Sequence, residues 1–209
     1  MIILVTGAGG PTGEAVSGYF RKHGHTVIDV GRQDVDLLDR AAVQDLAGRV
    51  EREHGRVDGV VHLVGGWRGS GSFAETSLDD WDLLHDLLIR TLQHVSLAFE
   101  PLLRRSEDGR FVIVSAKAAQ APSAGGAAYA AAKAAAEAWT LSLADALKGT
   151  GGAATILVVK ALVNDAMREA SPEARFSGFT DVNELAAVIG GLFDRPAAEI
   201  NGTRLDLTS

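Results

Sequence analysis

Short apolar runs alternate with stretches of helical spacing along the whole chain, and this alternation constrains the fold more than any other feature. Apolar runs of about 4–8 residues bounded by turn residues are typical of strands buried in a parallel sheet. Such strands are predicted at Ile2–Thr6, Thr26–Val30, Val57–Val64, Phe111–Ser115, Thr155–Val159 and Arg204–Leu207. Helices are predicted at Thr12–His23, Arg40–His54, Asp79–Arg105, Ala127–Lys148 and Asn183–Phe193. The pattern predicts an α/β fold with one doubly wound parallel sheet and helices on both faces.

Composition narrows the domain count and the partners. The 209 residues contain no linker or repeat, so a single domain over residues 1–209 is expected. With 27 acidic and 20 basic side chains the net charge is -7, which argues against nucleic acid as a partner. The absence of cysteine excludes disulfides and thiolate metal ligands, and the six histidines do not cluster, so no metal site is predicted.

No membrane partner is expected from the hydropathy of the chain. No segment approaches the ~18 uninterrupted apolar residues that a membrane span needs. The amino terminus is apolar from Ile2 onward without a preceding basic run, so no signal peptide is predicted. These observations predict a cytoplasmic protein with a small-molecule substrate.

A glycine-rich segment follows the first predicted strand and leads into the first predicted helix. Gly7, Gly10 and Gly13 are spaced three residues apart. Such turns need one glycine with positive φ, one where backbone meets a pyrophosphate and one where the helix packs closely. The pattern predicts a dinucleotide site in a Rossmann-type sheet, with phosphates at the helix N-terminus. The residues assigned to it are Thr6, Gly7, Gly10, Pro11, Thr12 and Gly13.

The end of the second predicted strand bears on which dinucleotide is bound. A carboxylate at this position accepts the ribose hydroxyls of NAD, whereas an arginine accommodates the 2′-phosphate of NADP. The strand ends in Gly31-Arg32, which favours NADP(H) with NAD(H) as the second choice. The alternative is that Arg32 is a solvated loop residue. Asp29 lies two residues early and is expected to face a helix or solvent.

A tyrosine and a lysine share one face of the predicted helix Ala127–Lys148. Tyr129 and Lys133 are four residues apart and therefore adjacent on the helix surface. A neighbouring ammonium favours the phenolate and is expected to lower the pKa of Tyr129, making it a usable proton donor. An ordinary surface pair is the alternative for this motif taken alone.

With these motifs the chain resembles the short-chain dehydrogenase/reductase family over its full length. The resemblance implies that Tyr129 is the general acid and that Lys133 binds the nicotinamide ribose and tunes the tyrosine. It further implies cofactor contacts from the adenine pocket, from the end of the third strand and from a backbone group that holds the carboxamide. Those residues are Asp36, Leu37, Val64, Gly65 and Val163.

Two departures from the family pattern have chemical consequences. Ala116 stands where the family's catalytic serine is found, 13 residues before Tyr129, and Leu88 replaces the proton-relay asparagine. Ser115 is one residue early, and adjacent strand residues point to opposite faces. Without the serine hydroxyl, which helps hold an oxygen as negative charge develops, an unactivated ketone is a harder substrate.

One branch of the family, dihydropteridine reductase, is similar in these respects. It shares alanine in place of the serine, a Gly-Gly-Trp segment matched by Gly65–Trp67, and a segment matched by Ser171–Ser177. This resemblance implies a reductase that passes hydride to a conjugated quinonoid or pterin-like acceptor. Two alternatives stay open: a carbonyl or keto reductase that lacks the serine, and a non-catalytic NADP-binding sensor or subunit.

The predicted substrate contacts are Trp67, Ala116 and Phe176. Trp67 and Phe73 lie in a glycine-rich loop, where they either stack on a flat substrate ring or anchor the loop. Phe176 lies in the second long loop, Lys160–Thr180, which is interpreted as a lid. The two long helices carry apolar stripes, and the family resemblance implies that they pair in a homodimer or a tetramer.

Overall fold

The computed structural model describes residues 1–208, and its centre is a parallel sheet of six strands. The sheet strands are β1 (Ile2–Thr6), β2 (Thr26–Val30), β3 (Gly59–His62), β4 (Arg110–Ala116), β5 (Ala153–Val159) and β8 (Arg204–Asp206). They lie in the order β2-β1-β3-β4-β5-β8, and every neighbouring pair is parallel. Two further strands, β6 (Leu162–Val163) and β7 (Thr180–Asp181), pair with each other.

Helices cover both faces of the sheet. They are α1 (Pro11–Lys22), α2 (Arg40–His54), α3 (Leu78–His85), α4 (Thr91–Leu103), α5 (Ala127–Ala146), α6 (Asp165–Ala170), α7 (Val182–Gly191) and α8 (Ala197–Ile200). Leu4 and Phe111 face α2, α4 and α5, whereas Ile3 and Val112 face α1 and α7. Neighbouring strand residues thus bury opposite faces of the sheet. The predicted doubly wound α/β fold is confirmed.

The element bounds agree with the sequence predictions where the signal is local. β1, β2 and α2 have the predicted bounds, whereas β3 is shorter than Val57–Val64. The predicted helix Asp79–Arg105 is interrupted by a π-helical segment, Asp86–Arg90, between α3 and α4. The apolar spacing continues across this segment, so the sequence carries no signal of it. The two-residue strands β6 and β7 are likewise too short for periodicity to reveal.

The strand order places a crevice at the carboxyl ends of β1 and β3. From β1 the chain moves outward to β2 and then returns to the other side of β1 to form β3. In open α/β sheets ligands bind where the strand order reverses in this way. None of the helices in residues 1–208 combines the length and apolar character that crossing a bilayer would require.

Candidate active site

An open cleft of about 1190 Å³ lies at this crevice. Its walls are the loop from β1 to α1, the segment that follows β2 and the end of β3. The predicted cofactor residues that line it are Gly7, Gly10, Arg32, Asp36, Leu37, Val64 and Gly65. The structure therefore brings together predicted residues from three separate βα connections.

Two glycines of the loop are required by the fold itself. Gly7 has φ +78°, and a Cβ there would lie 2.9 Å from the carbonyl carbon of Leu63. A Cβ at Gly13 would lie 2.3 Å from the carbonyl oxygen of Gly7 and 2.5 Å from the Cα of Ala8. All of these neighbours are backbone atoms that cannot turn aside, so any side chain at either position would force the backbone to move.

At two other positions of the loop, the protein itself does not exclude a side chain. A Cβ at Gly9 would meet nothing within 4 Å, and one at Gly10 would meet only the Gly7 carbonyl oxygen, at 3.6 Å. Both face the cleft. Gly10 is also the N-cap of α1 and has no side chain to cap the first amides of that helix. Bare backbone and uncapped amides fit a pyrophosphate, and Pro11 at the first helical position removes no needed donor.

The end of β2 presents Arg32 to the cleft. Arg32 is exposed, and no carboxylate within residues 1–208 lies within salt-bridge distance of its guanidinium. Asp29, by contrast, accepts a hydrogen bond from Ser17 at 2.7 Å and pairs with Arg21 at 2.5 Å, both on α1. Asp29 is exposed and also lines the cleft, and its carboxylate bonds to α1, as expected of a side chain that faces a helix or solvent.

The adenine-pocket residues predicted from the resemblance lie beyond this strand end. Asp36 Oδ1 accepts from the Leu38 amide at 2.9 Å, which fixes the turn. Leu37 is buried, and its carbonyl lies 3.0 Å from His94 Nδ1 on α4. Both residues line the cleft, and one local and one long-range hydrogen bond hold the segment in shape.

A chain of hydrogen bonds lies beneath the cleft and involves Thr6, His62 and Thr91. Thr6 Oγ1 lies 2.7 Å from His62 Nδ1, and His62 Nε2 lies 3.2 Å from Thr91 Oγ1. The Thr91 hydroxyl donates to the Leu87 carbonyl at 2.7 Å, so Nε2 carries the imidazole proton and Nδ1 accepts from Thr6. Burial lowers the pKa of His62 to about 3, so the ring is neutral. His62 is a satisfied strand-end histidine, and the fully buried Thr6 side chain does not line the cleft.

The π-helical segment occupies the position of the family's asparagine. Its Leu88 is buried, and the amide of Thr91 bonds to the carbonyl of Asp86, five residues back. The Leu87 carbonyl, four residues before Thr91, accepts a hydrogen bond from the Thr91 hydroxyl. Leu88 lies next to Gly65 at the end of β3, since a Cβ on Gly65 would be 3.5 Å from its side chain. An apolar contact therefore stands where the resemblance implies a polar relay.

Tyr129 and Lys133 lie together on α5, as predicted. Lys133 Nζ is 5.8 Å from the centroid of the Tyr129 ring and donates to the Val114 carbonyl of β4 at 2.8 Å. Burial lowers the pKa of Lys133 to about 8, while the charge of Glu137 opposes that fall. Burial raises the pKa of Tyr129, so the expected lowering by Lys133 is wrong for this structure. The physical reason is that desolvation of the phenol dominates while the lysine bonds to a backbone carbonyl.

The Ser115 hydroxyl is hydrogen-bonded to a side chain of α5. Its Oγ donates to Glu137 Oε1 at 2.5 Å, and Glu137 also binds Arg204 of β8 at 2.7 Å. Ser115 and Glu137 are buried, with Ser115 1% exposed, and the Arg204 side chain is partly exposed. Ala116, at the end of β4, is buried and contributes only a methyl group. The position at which the family has its serine therefore offers no hydroxyl, and Ser115 does not replace it.

The first long loop carries two exposed aromatic side chains. Trp67 is 65% exposed and Phe73 is 70% exposed, so neither is a buried anchor. The loop is tied to the segment just before α5, because the Ser70 amide donates to the Gly125 carbonyl at 2.8 Å. The indole of Trp67 lies over Gly69, where a Cβ would be 2.7 Å from its ring. The predicted loop is thus held beside the helix that carries Tyr129.

The second long loop folds on itself around two phenylalanines. Phe176 and Phe179 make an edge-to-face contact at 5.6 Å, and Phe176 has the left-handed φ of +44°. The Arg168 guanidinium lies 5.9 Å from the Phe176 ring and pairs with Asp181 at 3.1 Å. Val163, the predicted carboxamide contact, is buried in β6 at the base of this loop.

Two features of the site were not predicted. Glu137 and Arg204 are 67 residues apart, so no local pattern connects them. The role of Thr91 depends on the π-helical segment, which has no sequence signal. No metal-binding group of three or more His, Asp or Glu side chains is found in the described part of the chain.

Comparison with known proteins defines the class. The family model for short chain dehydrogenase matches residues 32–175. The chain belongs to the short-chain dehydrogenase family and is an oxidoreductase.

Two relatives are named as a dehydrogenase and an oxidoreductase. The NADP-dependent 3-hydroxy acid dehydrogenase YdfG of Escherichia coli O6:H1 is 28% identical over 168 residues, covering 72% of this chain and 68% of that protein. Oxidoreductase UcpA of Salmonella typhimurium is 30% identical over 162 residues, covering 68% of this chain and 61% of UcpA.

Solved structures share the fold. A short-chain dehydrogenase from Shigella flexneri 2a in complex with NADP has a TM-score of 0.86 and 23% identity, over 100% of this chain and 97% of that one. Serine dehydrogenase from Escherichia coli has a TM-score of 0.82 and 24% identity, over 99% and 96% of the two chains. At these identities the likeness shows the fold alone.

Proposed function

We propose that residues 1–209 act as one NADP(H)-dependent reductase domain that passes hydride to a conjugated quinonoid or pterin-like acceptor, with Tyr129 as proton donor. The choice of acceptor rests on the absence of a hydroxyl at the position where the family has its serine. Ala116 offers no hydroxyl, and the Ser115 hydroxyl donates to Glu137 at 2.5 Å. A conjugated acceptor spreads the developing charge over its own atoms, so it has least need of the missing donor.

The cofactor assignment rests on the cleft and on the relatives. Gly9, Gly10 and the uncapped start of α1 leave room and donors for the pyrophosphate. Arg32 supplies a cation at the end of β2 for a 2′-phosphate. YdfG is named as NADP-dependent, and the Shigella structure holds NADP. When bound, the nicotinamide supplies the hydride.

The chain itself supplies the proton that completes the reduction. Tyr129 is expected to donate its phenolic proton to the acceptor atom that gains charge, and its raised pKa keeps that proton on the oxygen at neutral pH. Lys133 is largely charged below its pKa of about 8, and the Val114 carbonyl orients it beside the tyrosine. The ammonium is placed to stabilise the tyrosinate that remains after transfer.

Trp67 is proposed as a flat surface for the acceptor ring. It is 65% exposed, and its loop is tied through the Ser70 amide to Gly125, just before the helix of Tyr129. An exposed indole on this loop suits a planar heteroaromatic ring. Ala116 and Phe176 are retained as proposed contacts at the base and on the lid of the substrate site.

A carbonyl or hydroxy acid substrate is the second candidate. The observation in its favour is that YdfG, a relative over 72% of this chain, is named as a 3-hydroxy acid dehydrogenase. The two candidates differ in their response to a restored serine. Ala116→Ser is expected to raise turnover of a ketone or 3-oxo acid and to leave quinonoid reduction nearly unchanged, because only the ketone needs the added donor.

The first test is oxidation of NADPH and NADH by the purified protein with quinonoid dihydropterin as acceptor. We expect turnover, faster with NADPH, and a loss of about 10³-fold in kcat for Tyr129→Phe with unchanged nucleotide affinity. Tyr19→Phe is the matched control, because Tyr19 lies on α1 and stacks on His23. Turnover that survives in Tyr129→Phe would contradict the proton-donor role, and nucleotide binding without any turnover would favour the sensor alternative.

We also propose that α4 and α5 pair with their copies in a homodimer. Leu97 on α4 is 56% exposed and Leu141 on α5 is 41% exposed. Such side chains on neighbouring helices suit an isologous contact. Light scattering on the wild type and on Leu97→Lys with Leu141→Lys should give a dimer and a monomer, respectively.

A further inference from the structure

Residue 31, at the end of β2, is a glycine, but the carboxylate of Asp34 lies beside it. Gly31 directly follows β2, and its amide donates to Asp34 Oδ2 at 2.7 Å. A Cβ built on Gly31 would lie 3.2 Å from that same oxygen and 3.8 Å from the Gly9 amide nitrogen. The space that a side chain at position 31 would enter is therefore bordered by the Asp34 carboxylate.

Asp34 and Arg32 face the same cleft. Both are exposed and both line it, together with Gly9 of the phosphate-binding loop. One Asp34 oxygen receives the Gly31 amide, and lone pairs remain on the carboxylate for further donors. A carboxylate here accepts ribose hydroxyls and repels a 2′-phosphate, whereas a guanidinium does the reverse.

We infer that Asp34 is a specificity-determining residue that opposes Arg32, so that this site accepts both NADPH and NADH. The inference rests on the proposed function, because it concerns the same cofactor site. Asp34 reaches the strand end from three residues downstream, through its hydrogen bond to the Gly31 amide. Its charge weakens the hold on a 2′-phosphate and strengthens the hold on a free 2′-hydroxyl.

The test uses adenosine fragments, so that it needs neither a substrate nor turnover. Binding of 2′,5′-ADP and of 5′-AMP to the whole protein is measured by titration calorimetry. Asp34→Asn keeps an oxygen acceptor for the Gly31 amide while it removes the charge. We expect it to tighten 2′,5′-ADP binding about fivefold and to weaken 5′-AMP binding about threefold, as loss of one nearby charge predicts. Arg32→Ala should weaken 2′,5′-ADP binding about tenfold and leave 5′-AMP unchanged.

Asp39→Asn is the matched control for net charge. Asp39 belongs to the same acidic segment but caps α2, with Oδ1 accepting from Ala41 at 2.8 Å, and asparagine caps equally well. Both fragments should bind it within about twofold of the wild type. If Asp34→Asn leaves the ratio of the two affinities unchanged, the inference is overturned while the cofactor proposal stands. If the wild type binds neither fragment, the cofactor proposal falls and the inference falls with it.

Discussion

The cofactor half and the substrate half of the cleft are built on different principles. In the cofactor half, backbone atoms lie where a Cβ would be: those of Leu63 at Gly7, and those of Gly7 and Ala8 at Gly13. In the substrate half, the contacts join side chains, Ser115 with Glu137 and Glu137 with Arg204. The first half depends on close backbone packing, and the second depends on hydrogen bonds and charges of side chains.

This difference predicts that substitutions are tolerated less easily in one half than in the other. A backbone turn that depends on missing side chains tolerates almost no substitution at Gly7 or Gly13. A network of side chains can lose one member and keep the others, and here Ser115 binds Glu137 while Ala116 contributes only a methyl group. The substrate half can therefore change its chemistry without changing its fold.

The largest effect is expected from a methyl group in the cofactor half. Gly13→Ala should lower the free energy of unfolding by at least about 4 kcal/mol, because two backbone atoms stand within 2.5 Å of the added carbon. Urea denaturation measures this loss. Gly10→Ala should cost about 1 kcal/mol or less, since its nearest contact is at 3.6 Å. It should nevertheless weaken NADPH binding more than tenfold, because the Cβ enters the proposed phosphate space.

Equal destabilisation by Gly10→Ala and Gly13→Ala would contradict the separation of folding and binding roles in this loop. A Gly10→Ala variant that melts like the wild type and binds no dinucleotide would support it. The glycines of one loop would then be divided between folding and binding.

An effect of similar order is expected in the substrate half from Glu137→Gln. The variant leaves Arg204 without its counter-ion and should lower the free energy of unfolding by about 3 kcal/mol. The charge of Glu137 raises the pKa of Lys133, so its loss should take that pKa below about 8 and move the alkaline limb of kcat to lower pH. Chemical denaturation and a pH–rate profile measure the two effects. Glu184→Gln, on the exposed side of α7, is the control and should alter neither.

The smallest effect is expected on acid stability, from substitution of His62 beneath the cleft. Its folded pKa of about 3 is below the ordinary value of 6.5, so the unfolded chain takes up a proton first as the pH falls. Stability is therefore lost between pH 6.5 and pH 3, by about 2 kcal/mol down to pH 5. The decline from pH 7 to pH 5 should be smaller in His62→Gln than in the wild type or in His54→Gln. An equal decline in all three proteins would show that other groups govern acid stability.

The sequence was sufficient where the signal is periodic or local. The bounds of β1, β2 and α2, the requirement for glycine at positions 7 and 13 and the pairing of Tyr129 with Lys133 all follow from short-range patterns. The π-helical segment was missed because apolar spacing runs through it unchanged. The direction of the Tyr129 pKa was missed because it depends on burial by segments far away in sequence.

Asp34 illustrates the boundary between the two cases. The hydrogen bond from the Gly31 amide to the Asp34 carboxylate spans three residues and is a local contact. The proximity of Gly31 to Gly9 results from the parallel pairing of β1 and β2, which only the folded sheet establishes.

The bond between Glu137 and Arg204 makes the catalytic helix dependent on an edge strand. β8 pairs only with β5 in the sheet, and its arginine crosses to the carboxylate one turn beyond Lys133. The Arg204 guanidinium shares the Glu137 carboxylate with the Ser115 hydroxyl, and the charge of that carboxylate raises the pKa of Lys133. A change at the sheet edge that displaced β8 would therefore reach the ammonium beside Tyr129 through one carboxylate.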